Sequence, residues 1–130
     1  MQLLIVRHAE AAPGSPDELR PLTQRGRDQA RALGQQLREQ DVDPHAVLSS
    51  PLLRARETAA ALGLGPVEVD ERLAPGATPE DIRDAATGRG AFVVVVAHQP
   101  DCGRAAAVLS GCPEPRFPPG GHALVELSDR

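Results

Sequence analysis

The chain carries 130 residues, with 14 lysines and arginines against 18 acidic residues, a formal net charge of −4, and two phenylalanines as its entire Phe/Tyr/Trp complement. That length can bury one hydrophobic core but not two, and no apolar run approaches the roughly 18 residues of a membrane span. An acidic chain without basic stripes or stacking rings is not built to hold nucleic acid.

The first predicted element is the run Leu3-Leu4-Ile5-Val6, continuous enough for a strand buried on both faces. It ends in Arg7-His8. Ligands of open α/β sheets bind outside the carboxyl ends of the strands, so this places a fixed cation beside a group that can be neutral and nucleophilic near neutral pH. That combination suits phosphate chemistry, although the dipeptide alone is equally compatible with two solvated residues. Residues 12–21, rich in Pro and Gly, read as a loop. Thr23 then predicts a capped helix running to about Gln40, with Ala30, Leu33, Gly34 and Leu37 on one face.

Residues 46–49 predict a strand and 51–62 a helix, with Ser50 as N-cap and Pro51 at the first helical position. Arg54 falls in the first turn of that helix. A guanidinium beside unpaired backbone N–H groups makes a site for a dianion. The competing expectation is a surface ion pair of Arg54 with Glu57 or Asp70. Arg56 points about 200° away around the helix and need not share the role.

A short strand over 67–69 and a modest helix over 79–86 follow. Residues 91–97, Ala-Phe-Val-Val-Val-Val-Ala, form the strongest strand signal and end in His98, followed by Gln99-Pro100. A lone His98 would read as a packing residue; paired with Arg7-His8 it reads as part of one site. A helix from Pro100 to about Ser110 presents Cys102, Ala105, Ala106 and Leu109 inward. Residues 111–121 form a second Pro/Gly-rich loop and 123–127 the last strand. Alternating strand and helix signals predict a mainly parallel sheet with helices on both faces, a three-layer α/β arrangement over 1–130 without a second domain.

In this order the chain shows Val6-Arg7-His8-Ala9-Glu10-Ala11, Arg20-Pro21-Leu22-Thr23 with Gly26, Ser49-Ser50-Pro51-Leu52-Leu53-Arg54-Ala55 with Thr58, Leu73-Ala74-Pro75-Gly76, and His98-Gln99-Pro100. These elements resemble the histidine phosphatase superfamily, the group that includes phosphoglycerate mutases and acid phosphatases. Within it the chain is most similar to the small single-domain phosphohistidine phosphatases of the SixA type. One departure is Ala97-His98-Gln99-Pro100, where such chains often carry Gly-His-Asn-Pro; Gln99 still supplies an amide, so the change falls on the rim.

The resemblance implies a phosphoglycerate mutase-like fold without a cap or lid domain, and a metal-independent, cofactor-free phosphatase working through phospho-His8. Arg7, Arg54 and His98 would bind the phosphoryl oxygens, His98 as a further charged donor if protonated. The arginines would also hold down the pKa of His8. Asp70 and Glu71 are the candidate general acids, and Arg20, Gln99 and His122 candidate rim residues. Loop 12–21 is implied to border the site. The implied substrate is phosphohistidine on a protein, since its imidazole leaves with less need of an acid. The alternatives are a small-molecule phosphomonoesterase and a non-catalytic binder of phosphoproteins.

Remaining features are quieter. Cys102 and Cys112 give neither a metal spacing nor a disulfide framework, and no histidine has carboxylates at ligand spacing. Glu10 and Arg20 could pair or line the rim, and His45 reads as surface. The amino terminus lacks the basic leader and cleavage site of a secretion signal, so a reduced, cytoplasmic location is expected, with a monomer plausible.

Overall fold

The computed structural model describes residues 1–128. Five strands form one sheet: β1 (Gln2–Arg7), β2 (Ala46–Ser49), β3 (Val67–Val69), β4 (Phe92–Ala97) and β5 (His122–Glu126). Their order is β3-β2-β4-β1-β5. β2, β3, β4 and β1 run parallel, whereas β5 pairs antiparallel with β1. The helices are α1 (Gln24–Glu39), α2 (Leu53–Leu62), α3 (Pro79–Ala86) and α4 (Asp101–Ser110), with 3-10 turns at Asp17–Leu19 and Glu71–Leu73.

The uninterrupted apolar runs behave as doubly buried strands should. Leu3, Ile5, Val93 and Val95 face a cluster with Ile82 and Ala85 of α3 and Cys102, Ala105 and Ala106 of α4. Leu4, Val6, Val94 and Val96 face Leu33 and Leu37 of α1 and Ala55, Ala59 and Leu62 of α2. Every valine of β4 from Val93 to Val96 is fully buried; each such side chain contributes about 1.5–3 kcal/mol relative to exposure. The predicted inner face of α1 is buried at Ala30, Leu33, Gly34 and Leu37, and Leu109 of α4 is partly buried against its cluster. Gly34 is where α1 and α2 meet: a Cβ there would lie 1.9 Å from the Leu62 carbonyl oxygen.

Side-chain caps start α1 and α3 but not α2 or α4. The Thr23 hydroxyl accepts the Gly26 N–H, the predicted cap of α1. At α2 the prediction fails: the helix begins at Leu53 with Leu52 at the N-cap, so Ser50 and Pro51 stand outside it. The connections of β1 and β4 leave in opposite directions across the sheet, β1 toward β2 and β4 toward β5. Such a switch point opens a crevice at the carboxyl ends of those two strands. That is where His8 and His98 stand.

Candidate active site

Backbone hydrogen bonds extend the sheet past its formal end and fix the segment that carries His8. The His8 N–H donates to the Ala97 carbonyl at 3.1 Å, and the His8 carbonyl accepts the Gly120 N–H at 3.0 Å. The Ser50 N–H donates to Val96 at 3.0 Å, tying the end of β2 to the same edge. Thr58 adds a strut between elements. Its hydroxyl accepts the Ala9 N–H at 3.0 Å and donates to the Arg54 carbonyl at 2.7 Å.

The rings of His8 and His98 lie 5.3 Å apart between centroids. His8 Nδ1 is 2.8 Å from the Ala9 carbonyl oxygen. A carbonyl can only accept, so Nδ1 carries the ring proton and Nε2 keeps its lone pair. The His8 pKa is lowered to about 4, chiefly by burial, which outweighs the raising effect of the Ala9 bond, with Arg54, Arg7 and Arg20 adding to the depression. The arginines act in the expected direction, but burial leads.

His98 is only 3% exposed. Burial, then His8 and Arg54, lower its pKa to about 3 against the opposing pull of Asp17. In the ligand-free protein burial thus favours the neutral ring, against the charged form on which a charged-donor role depends. Its Nε2 lies 2.7 Å from the Ser50 hydroxyl, and its Nδ1 is buried without a partner.

Arg7 Nη1 donates to the Phe117 carbonyl at 2.9 Å, while Nε is buried and unpaired. Arg54, 7% exposed, pairs with neither Glu57 nor Asp70. Its Nη1 donates to the Asp17 carbonyl at 2.9 Å and its Nη2 to the Asp17 carboxylate at 3.2 Å. Arg20 holds the other oxygen of that carboxylate at 3.1 Å and donates through Nε to Ala12. Asp17 is thus kept below the usual carboxylate range, first by Arg20 and then by Arg54. Loop 12–21 borders the cationic cluster through this residue.

The structure therefore gathers Arg7, His8, Arg54 and His98, with Arg20 at the margin. The candidate acids are differently placed. The Asp70 carboxylate accepts Arg72 N, Nε and Nη2, and Arg72 holds its pKa low. Glu71 is exposed in the adjoining 3-10 turn. The Gln99 side-chain carbonyl accepts the Gly103 N–H at 2.7 Å, folding that amide over the start of α4. His122 is exposed at the first position of β5. Glu10 and Arg20 do not pair; Glu10 accepts the Thr23 hydroxyl instead. Cys102 lies behind the site, its thiol pushed up to about 12 by burial and the neighbouring Asp101. Among the described residues no three His, Cys, Asp or Glu side chains cluster to hold a metal ion, and no helix is long and apolar enough to cross a membrane.

Asp17 and the Phe117 carbonyl were not identified from the sequence, and Thr58 was named only within the motif, without its bridging role. Asp17 is one of two adjacent acids, with Glu18, in a Pro/Gly-rich loop, and the implied proximity of that loop to the site was the one available signal. A backbone carbonyl such as that of Phe117 leaves none.

A family model of the histidine phosphatase superfamily (branch 1) matches residues 3–77. The chain is 35% identical over 143 residues to phosphohistidine phosphatase SixA of Escherichia coli, a match spanning 99% of this chain and 87% of that protein. The structure of the protein histidine phosphatase SixA complexed with tungstate superposes with a TM-score of 0.87 at 33% identity, covering 98% of this chain and 88% of the other. A phosphoserine phosphatase from Entamoeba histolytica has a TM-score of 0.73 at 17% identity over 95% of this chain and 89% of its own, which shows a shared fold alone.

Proposed function

This chain belongs to the histidine phosphatase superfamily, and from that premise we propose that it is a phosphohistidine phosphatase that carries the phosphoryl group on His8. Nε2 of His8 attacks phosphorus, the P–N bond to the substrate ring breaks, and a P–Nε2 bond forms. Water then attacks phospho-His8, releasing inorganic phosphate and returning neutral His8, with the water proton passing to the phosphate. Arg7 and Arg54 offset the charge spread over the equatorial oxygens.

The observation that carries the substrate class is the state of the nearby carboxylates. Asp17 is held ionised by Arg20 and Arg54, and Asp70 by Arg72. An alkoxide leaving group needs a proton that an ionised carboxylate cannot give. The imidazole of phosphohistidine can carry a proton on its distal nitrogen and leave as a neutral ring. The likeness to SixA points the same way. The partner is accordingly a phosphorylated protein.

The test compares kcat/KM on a phosphohistidine protein with that on a phosphoserine peptide. General acid help is typically worth about 10²–10⁴-fold, so the first should exceed the second by at least ~100-fold. Equal efficiencies would favour a phosphomonoesterase, with Glu71 as the remaining acid candidate.

A further inference from the structure

A half-buried and a buried histidine with the same protonation pattern would serve opposite ends. His8 must offer a lone pair to phosphorus, while His98 can help an oxyanion only by offering a proton. A neutral imidazole has one N–H, so which nitrogen bears it decides whether His98 helps at all.

We propose that Ser50 sets the tautomer of His98, accounting for Nε2 with its own hydroxyl proton and so placing the ring proton on Nδ1, where it donates to the transferring phosphoryl group. This rests on the reading of the site as a phosphoryl-transfer centre. Ser50 is fully buried. Its Oγ accepts the Leu52 N–H at 3.2 Å and lies 2.7 Å from His98 Nε2. Among the described residues no other acceptor is bonded to that hydroxyl, so Nε2 is where its proton goes.

The opposite assignment is costlier. If Nε2–H donated to Oγ, the serine proton would be buried without an acceptor, and Nδ1 would turn a bare lone pair into the site. A buried polar hydrogen left unpaired costs about 1–3 kcal/mol. With Ser50 donating, one buried group stays unmet, the Nδ1–H. It sits on a ring 5.3 Å from His8, in the same site as the similarly unpaired Arg7 Nε. Unpartnered buried donors beside a nucleophile mark where an oxyanion completes the hydrogen bonding. The low basicity of His98 supports the scheme, because a doubly protonated ring would have no tautomer to set.

Nitrogen-15 NMR of the histidine-labelled protein tests the assignment without reference to substrate. His98 should show a protonated Nδ1 and a pyridine-type Nε2, whereas a protonated Nε2 overturns the proposal. Tungstate titration tests the consequence. Ser50→Ala should weaken tungstate binding about tenfold, as should His98→Ala, and the double variant should lose no more than His98→Ala alone. Additive losses would mean that Ser50 acts on the fold and not through His98, and would also overturn it. Ser50→Cys, isosteric but a poor donor, guards against misfolding of the alanine variant and should reproduce its tautomer change. If the NMR and tungstate results hold while phosphohistidine is not turned over, the proposed substrate fails and the Ser50 assignment stands.

Discussion

Asp17 occupies Arg54 in the ligand-free protein, its carboxylate at 3.2 Å from Nη2 and its main-chain carbonyl at 2.9 Å from Nη1. One of the two guanidiniums proposed to meet the phosphoryl group is thus already bound to an anion of the same chain. The side chain of Asp17 is 58% exposed, so the contact is made from the solvent side of the site. A substrate dianion must compete with it.

Asp17→Ala should therefore bind inorganic phosphate more tightly. An exposed ion pair is worth little, so the gain should be about two- to fivefold. Isothermal titration at constant ionic strength measures it. Weaker binding in the variant would show instead that Asp17 holds Arg54 in its working orientation.

Acid quenching during turnover should trap phosphate on His8 as an acid-labile, base-stable adduct. His8→Ala should lose both adduct and turnover while keeping its circular dichroism spectrum. Arg54→Ala should still form the adduct, but with a loss of about 2–5 kcal/mol in transition-state stabilisation, read from kcat/KM. Turnover by the His8 variant would remove the nucleophile assignment.

Stability should fall as pH drops from about 6.5. In the unfolded chain both site histidines take up protons near the ordinary value of about 6.5, whereas in the folded chain His8 waits until about 4 and His98 until about 3. The unfolded state binds more protons across that window, so unfolding is favoured progressively through it. Above it neither state is charged and the effect vanishes. The lowered carboxylates Asp17, Asp70 and Asp81 add their own loss of stability from about their ordinary value of 3.8 downward, overlapping only the acid end of that window. Urea midpoints at pH 7.5 and 5 should differ, and the double variant His8→Asn, His98→Asn should flatten the difference.

Asp70→Asn and Glu71→Gln should each leave phosphohistidine hydrolysis within about threefold of the parent, because the leaving ring needs little acid help. Any phosphoester activity should fall more in Glu71→Gln, since the Asp70 carboxylate is committed to Arg72. EDTA should change neither rate, as no metal-holding cluster stands among the described residues. A large loss on both substrates from either variant would reinstate a general acid.

The layered fold was legible because doubly buried strands write unbroken apolar runs, as in β1 and β4, and because Thr23 uses its hydroxyl locally. The antiparallel direction of β5 was not, since a strand pattern carries no sense of direction. Arg7, His8, Arg54 and His98 were legible because each sits at the end or start of a periodic element. Ser50 misled because Ser-Pro before a helix looks like a cap, while its hydroxyl is drawn to a histidine 48 residues away. Asp17 escaped for the same reason, its partner Arg54 lying 37 residues on. The charge of His98 followed from desolvation, which depends on what the finished fold packs around a ring.

The Thr58 strut has a consequence for how such a protein can diversify. By joining the main chain beside His8 to the first turn of α2 through one buried hydroxyl, it makes the His8 segment and the Arg54 turn a single mechanical unit anchored in the sheet. The loops over 12–21 and 111–121 lie outside that joint. They nevertheless hold Arg54 through Asp17, Arg7 through the Phe117 carbonyl and His8 through Gly120, so new docking specificities are best sought by insertions at their exposed tips that spare those contacts.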